Sequence, residues 1–170
     1  MSTTSTPDRL QRAEPFAEHA DQHRPLVSYS ALALAFNGLV ATGLEVARRR
    51  RGLPDRWSAP DLLLLGAATA KLSRLIAKDR VLAVARAPFT RFEDDTQRGE
   101  VEESARGTGM QRAMGELLIC EYCVAQWVAA GFVVGATLAP RPTRAIAALF
   151  TVYGISDALN IARSAADQNV

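Results

Sequence analysis

The chain has two cysteines, Cys120 and Cys123, and they stand three apart in the stretch GELLICEYCVAQW. In a continuous helix Glu116, Cys120 and Cys123 fall at i, i+4 and i+7, on one face with Trp127 and Gly131 further along it. Two thiolates and a carboxylate are half or more of a zinc site, which commonly takes four ligands. A second copy of the chain, in a homo-oligomer, or Glu116 and water would complete the set. The histidines, His19 and His23, are the other candidate ligands, at i and i+4. Redox chemistry is the second reading of the pair. It needs a thiolate of lowered pKa, and Glu116 and Glu121 beside the thiols push the other way. Packing, with cysteine as a small hydrophobe, is the third and is preferred to both.

The elements that carry these residues are apolar. Between Leu117 and Ala139 the only charged residue is Glu121, between Ala145 and Ala162 only Asp157, and between Leu26 and Ala47 only Glu45. Each run is long enough to cross a hydrocarbon core of roughly 30 Å at about 1.5 Å per residue. The charges collect in residues 1–25, 48–61 and 71–116. This pattern predicts an all-α integral membrane bundle of four hydrophobic helices, near 26–47, 61–84, 111–138 and 143–165. A polar N-terminal tail, 1–25, precedes the membrane domain at 26–170. A net charge of +2 and the lack of basic–aromatic interleaving argue against a nucleic-acid binder.

The second helix is the exception among the four. It opens with LLLLGAATA and then places Lys71, Arg74 and Lys78 on one face. Lys71 would lie deep in the bilayer, at about 2.5–3.5 kcal/mol on an insertion scale. The helix therefore either spans or is re-entrant. Gly66 and Ala70 form a small-residue pair suited to close helix packing, which favours spanning. Asp157 is the acid available to neutralise Lys71 or Arg74 in a structural ion pair. An ion pathway through Asp157 is the alternative, although no inverted repeat or broken helix accompanies it.

Lysine and arginine counts orient the chain. With four crossings, the N-terminal tail, the 78–116 loop and the C-terminus share one side with 11 such residues, against seven opposite. The richer side is expected to be cytoplasmic, in the cell (inner) membrane of a multi-pass protein. With three crossings the loop is again on the inside. Thiols there are expected to be reduced, which argues against a permanent structural disulfide. The loop at 86–114, with six carboxylates between Glu93 and Glu103, lacks a calcium-loop ligand pattern. It is expected to be a solvated segment that docks a protein partner. No Ser-His-Asp set, paired His-Glu motif or P-loop supports catalysis. The leading reading is a non-enzymatic membrane scaffold, ahead of a metal- or thiol-dependent protein.

The ordered set DLLLLGAATAKLSRLIAKD, RAPFTRFE, RGTGMQRAMGELL and C-x-x-C-x3-W resembles an uncharacterised bacterial family of small membrane proteins, the one that includes the sporulation-associated YjcA-like proteins. The resemblance covers about residues 57–165 and implies a membrane location without implying an activity. That family reads Cys-Pro-aromatic-Cys, where this chain has Glu121 after Cys120. Proline would favour a bend between the thiols, whereas glutamate permits a continuous helix.

Overall fold

The computed structural model describes residues 25–96 and 99–167. Helix α1 (Leu26–Arg51) is followed by α2 (Ala59–Lys78) and a four-residue turn of helix, α3 (Ala83–Arg86). Strands β1 (Thr90–Asp95) and β2 (Val101–Ala105) come next, and then α4 (Gly109–Ile119), α5 (Glu121–Leu138) and α6 (Pro140–Asp167). The 1–25 tail, with His19 and His23, lies outside the described residues up to position 24.

Helix starts and stops follow local chemistry. Helix α1 runs past the expected 47, and Arg48–Arg51 form its last turn, where cations suit the C-terminal dipole. Gly52 ends the helix at φ 75°. Ser58 caps α2: its hydroxyl accepts the Asp61 N–H at 3.2 Å, and Pro60 occupies the first turn. Asp79 ends α2, nine residues before the next proline and earlier than the expected 84. Its carboxylate accepts the N–H groups of Val81 and Leu82, at 2.8 and 3.1 Å, and turns the chain out of the helix.

The long helices alternate in direction. Tyr29 meets Glu116, Phe36 meets Trp127 and Gly43 faces Val134, so α1 runs with α5. Asp61 meets Arg144, Leu64 meets Thr151 and Lys71 meets Asp157, so α2 runs with α6. Glu121, at the start of α5, lies beside Arg74 near the end of α2, so these two oppose each other. The chain thus goes up, down, up and down. The β-hairpin sits at the end where α2 stops and α5 starts.

The core is small. Leu65, Ala68, Phe132 and Ala147 form its centre, with Trp57, Leu72, Val128 and Phe150 packed against it. Large apolar side chains instead point outward along the helices: Leu34 and Leu39 on α1, Leu63 on α2, and Leu149, Val152 and Leu159 on α6. Helices that are apolar on their outer faces fit a lipid environment. Three of them, α1, α5 and α6, are long and apolar enough to cross a membrane. Their polar side chains turn back to their own backbone: Thr42 donates to Gly38, Asn37 to Ala33 and Thr137 to Val133, at 2.7–2.9 Å. Such pairing is what hydrocarbon demands of polar groups.

Two features correct the expected elements, the first of them the all-α reading. The first is the antiparallel hairpin itself, with Thr90 opposite Ala105, Phe92 opposite Glu103 and Asp95 opposite Val101. Its buried positions are Thr90 and Val101, while the rest of β1 is exposed. No apolar alternation therefore marks it in the sequence. The second is a break at Cys120, with φ −94° and ψ 102°, that divides the expected 111–138 helix into α4 and α5. Pro140 begins α6, three residues before the expected 143. Gly66 and Ala70 face outward, and a Cβ added to Gly66 would meet nothing within 4 Å. The α2 interface is made by Leu65, Ala68 and Leu72 instead.

Candidate functional site

The hairpin is fastened to the helices by charge. Arg86 is 1% exposed and pairs through Nε with Glu103, itself 5% exposed. Its other guanidinium nitrogens donate to the carbonyls of Ile76, at 2.7 Å, and Asp79, at 2.9 Å. Thr90 donates to Arg86 O or to the Glu103 carboxylate, at 3.0 and 2.9 Å. One guanidinium thus joins α2, α3 and β2, with its donors directed at fixed acceptors. Gly115 completes the joint, because a Cβ there would lie 2.3 Å from the Phe89 carbonyl oxygen. Only glycine lets α4 approach the hairpin that closely.

A second charged line runs from the hairpin into the bundle. Arg74 is held by Glu100 through two hydrogen bonds, of 2.7 and 3.0 Å, and lies 3.8 Å from Glu121. One turn deeper, Lys71 donates to Asp157 at 2.5 Å and sits 4.0 Å above the Tyr153 ring. The Lys71 side chain is 9% exposed and that of Asp157 is 45% exposed. The structure therefore brings Lys71 and Asp157 together, and gives Arg74 to the hairpin. Lys71, Arg74, Glu100, Tyr153 and Asp157 line a cleft of about 510 Å³ between α2 and α6. At the other end of α2, Arg144 clasps Asp61 with two hydrogen bonds, of 2.9 and 2.8 Å.

The cysteines are arranged differently from the expected stripe. Cys120 and Cys123 form a disulfide, with their Cα atoms 5.2 Å apart. This overturns the expectation of a reduced pair on a continuous helix. The extended backbone at Cys120 makes it the N-cap of α5, and its Sγ accepts the Cys123 N–H at 3.2 Å. Glu116 is engaged by other partners: Tyr29 donates to it, as does Arg112 at 2.9 Å. Glu116, Cys123 and Trp127 nevertheless line one cleft of about 470 Å³, with Tyr29 and Phe36 of α1 opposite. Among the described residues no three His, Cys, Asp or Glu side chains are grouped to hold a metal ion.

The family description "Protein of unknown function (DUF1360)" matches residues 64–163, which is more than half of the chain. The chain belongs to that family. The DUF1360 segment begins within α2 and ends within α6, so it holds the hairpin, the disulfide and the Lys71–Asp157 pair and leaves α1 outside. Sporulation protein YjcA of Bacillus subtilis (strain 168) is similar to it, 26% identical over 98 residues, covering 56% of this chain and 83% of the relative. No solved structure matches the chain.

Within the DUF1360 segment, Arg86, Glu103 and Gly115 are the residues that sequence reasoning passed over. Arg86 and Glu103 looked like members of a solvated charge run. A signal was present in part: RAPFT and GEVEE each carry one residue that the hairpin buries, Thr90 and Val101, too few to set a strand period.

Proposed function

We propose that this protein is a four-crossing membrane scaffold that presents its hairpin to a protein partner on the cytoplasmic side. The observation that carries this reading is the buried Arg86–Glu103 pair, which fixes the hairpin to the helix ends. A loop needed only to connect two helices gains nothing from such a clamp. A fixed hairpin with an exposed outer face gives a partner a preformed surface, at low ordering cost. That face carries Phe92, 58% exposed, beside the acidic side chains of β1.

Helix α2 serves as the fourth crossing. Its 20 residues span about 30 Å, and it packs along both α5 and α6. Its cations do not oppose this role, because Lys71 and Arg74 are each neutralised by a partner. The surplus of Lys and Arg, 11 against seven, supports a cytoplasmic hairpin. Lys71 and Asp157 act in this reading as a structural pair.

The test is a photocrosslinking residue at Phe92 in the full chain, in cells of the native host. A discrete protein adduct, lost when Glu93, Asp94 and Asp95 are changed together to lysine, is expected. Absence of any protein adduct at Phe92, while the hairpin remains protease-resistant, would remove the scaffold reading.

A further inference from the structure

We infer that Cys120 and Cys123 are a redox-active couple, which exchanges two electrons with a dithiol that enters the cleft between α1 and α5. The disulfide is a poor structural staple. It closes a loop of sequence separation three, within one turn at the start of a helix, and ties together no two elements of the bundle. Bridges that stabilise do so mostly by closing long loops. A bond that constrains so little is better understood through its chemistry.

The geometry gives the two sulfurs different tasks. Cys120 is the N-cap of an 18-residue helix, and its Sγ already accepts the Cys123 N–H. A thiolate at that atom would be stabilised by the N–H and by the positive end of the helix dipole. Cys120 is therefore the better leaving group. Cys123 lines the cleft of about 470 Å³ with Tyr29, Phe36 and Trp127, which gives an incoming thiol access to that sulfur. The carboxylates nearest the pair do not oppose the thiolate as bare charges. Glu116 is engaged by Arg112 and Tyr29, and Glu121 faces Arg74.

The exchange is balanced with a dithiol as the sole co-reactant. One thiolate of the dithiol attacks Cys123 Sγ; the Cys120–Cys123 bond breaks, and Cys120 leaves as the thiolate. The second thiolate of the dithiol then attacks its own sulfur of the mixed disulfide and releases Cys123. The dithiol ends as a disulfide, oxidised by two electrons, and the protein ends with two thiols, reduced by two. The protons lost by the dithiol are those taken up by the cysteines. The reverse sequence restores the bond.

The experiment uses the full chain in lipid nanodiscs and dithiothreitol as the probe, with intact mass after acid quenching and alkylation. The folded wild-type protein should equilibrate reversibly between the disulfide and the dithiol as the ratio of reduced to oxidised dithiothreitol is varied. Single-cysteine proteins, preloaded as mixed disulfides with 2-nitro-5-thiobenzoate, isolate each sulfur. Cys120→Ser, which reports on Cys123, should be attacked by dithiothreitol at least about tenfold faster than Cys123→Ser, which reports on Cys120. The inference is overturned if the wild-type disulfide is reduced only after denaturation. It is equally overturned if the Cys120 mixed disulfide reacts as fast as that of Cys123. Neither outcome touches the scaffold reading, which does not use the sulfurs.

Discussion

At the scale of single residues, Arg86 carries the largest share of the account. Its guanidinium is buried against Glu103 and two carbonyls, so Arg86→Ala would leave a buried carboxylate without its counter-charge. A loss of about 3–5 kcal/mol is expected for breaking such a pair from one side. It would be read as a lower thermal midpoint in detergent and faster proteolysis between positions 90 and 105. Gly115→Ala tests the same joint sterically. Its Cβ would meet the Phe89 carbonyl at 2.3 Å and Ala105 at 3.0 Å, for a cost of about 1–3 kcal/mol. Gly66→Ala, where nothing lies within 4 Å, should leave the midpoint unchanged and serves as the control. Neither Arg86 nor Gly115 was legible in the sequence. Burial of an arginine, or the need for a missing Cβ, depends on what tertiary contact arrives there.

At the scale of elements, α2 is the helix whose character the sequence left open. It is not among the three helices that are apolar enough by composition alone to cross a membrane, yet it holds Leu65, Ala68, Lys71, Ser73 and Ala77 buried. The explanation lies in pairing. A cation in a bundle is tolerated when its counter-charge is fixed nearby. A double-mutant cycle tests this at Lys71 and Asp157. Asp157→Leu alone leaves a lysine that is 9% exposed without its carboxylate and should cost about 1–3 kcal/mol, below the fully buried case because Asp157 itself is 45% exposed. Lys71→Met/Asp157→Leu should return to within about 1 kcal/mol of the parent. Equal losses in the single and double variants would show that the two side chains do not work as a pair.

The same scale shows what pattern reading can and cannot reach. The apolar runs of α1, α5 and α6 were legible because their length and lack of charge are properties of the chain itself. The hairpin was not, since it buries a salt bridge where a sheet more often buries an apolar face. The break at Cys120 was not either. Glu121 permits a helix through that position, and the extended conformation there accompanies a sulfur–sulfur bond and an N-cap, neither of which leaves a proline or glycine behind.

At the scale of the whole molecule, the central claim is that α2 crosses and that the hairpin and the 52–58 connection lie on opposite faces of a membrane. The up-down order of the helices and the Asp61–Arg144 clasp, at the end away from the hairpin, are what this claim rests on. Labelling with a membrane-impermeant maleimide tests it most directly, with Arg56→Cys and Glu93→Cys placed singly in a Cys120→Ser/Cys123→Ser background. The account predicts that Glu93→Cys is labelled in inverted vesicles and Arg56→Cys in right-side-out vesicles. Labelling of both positions from the same side would contradict it.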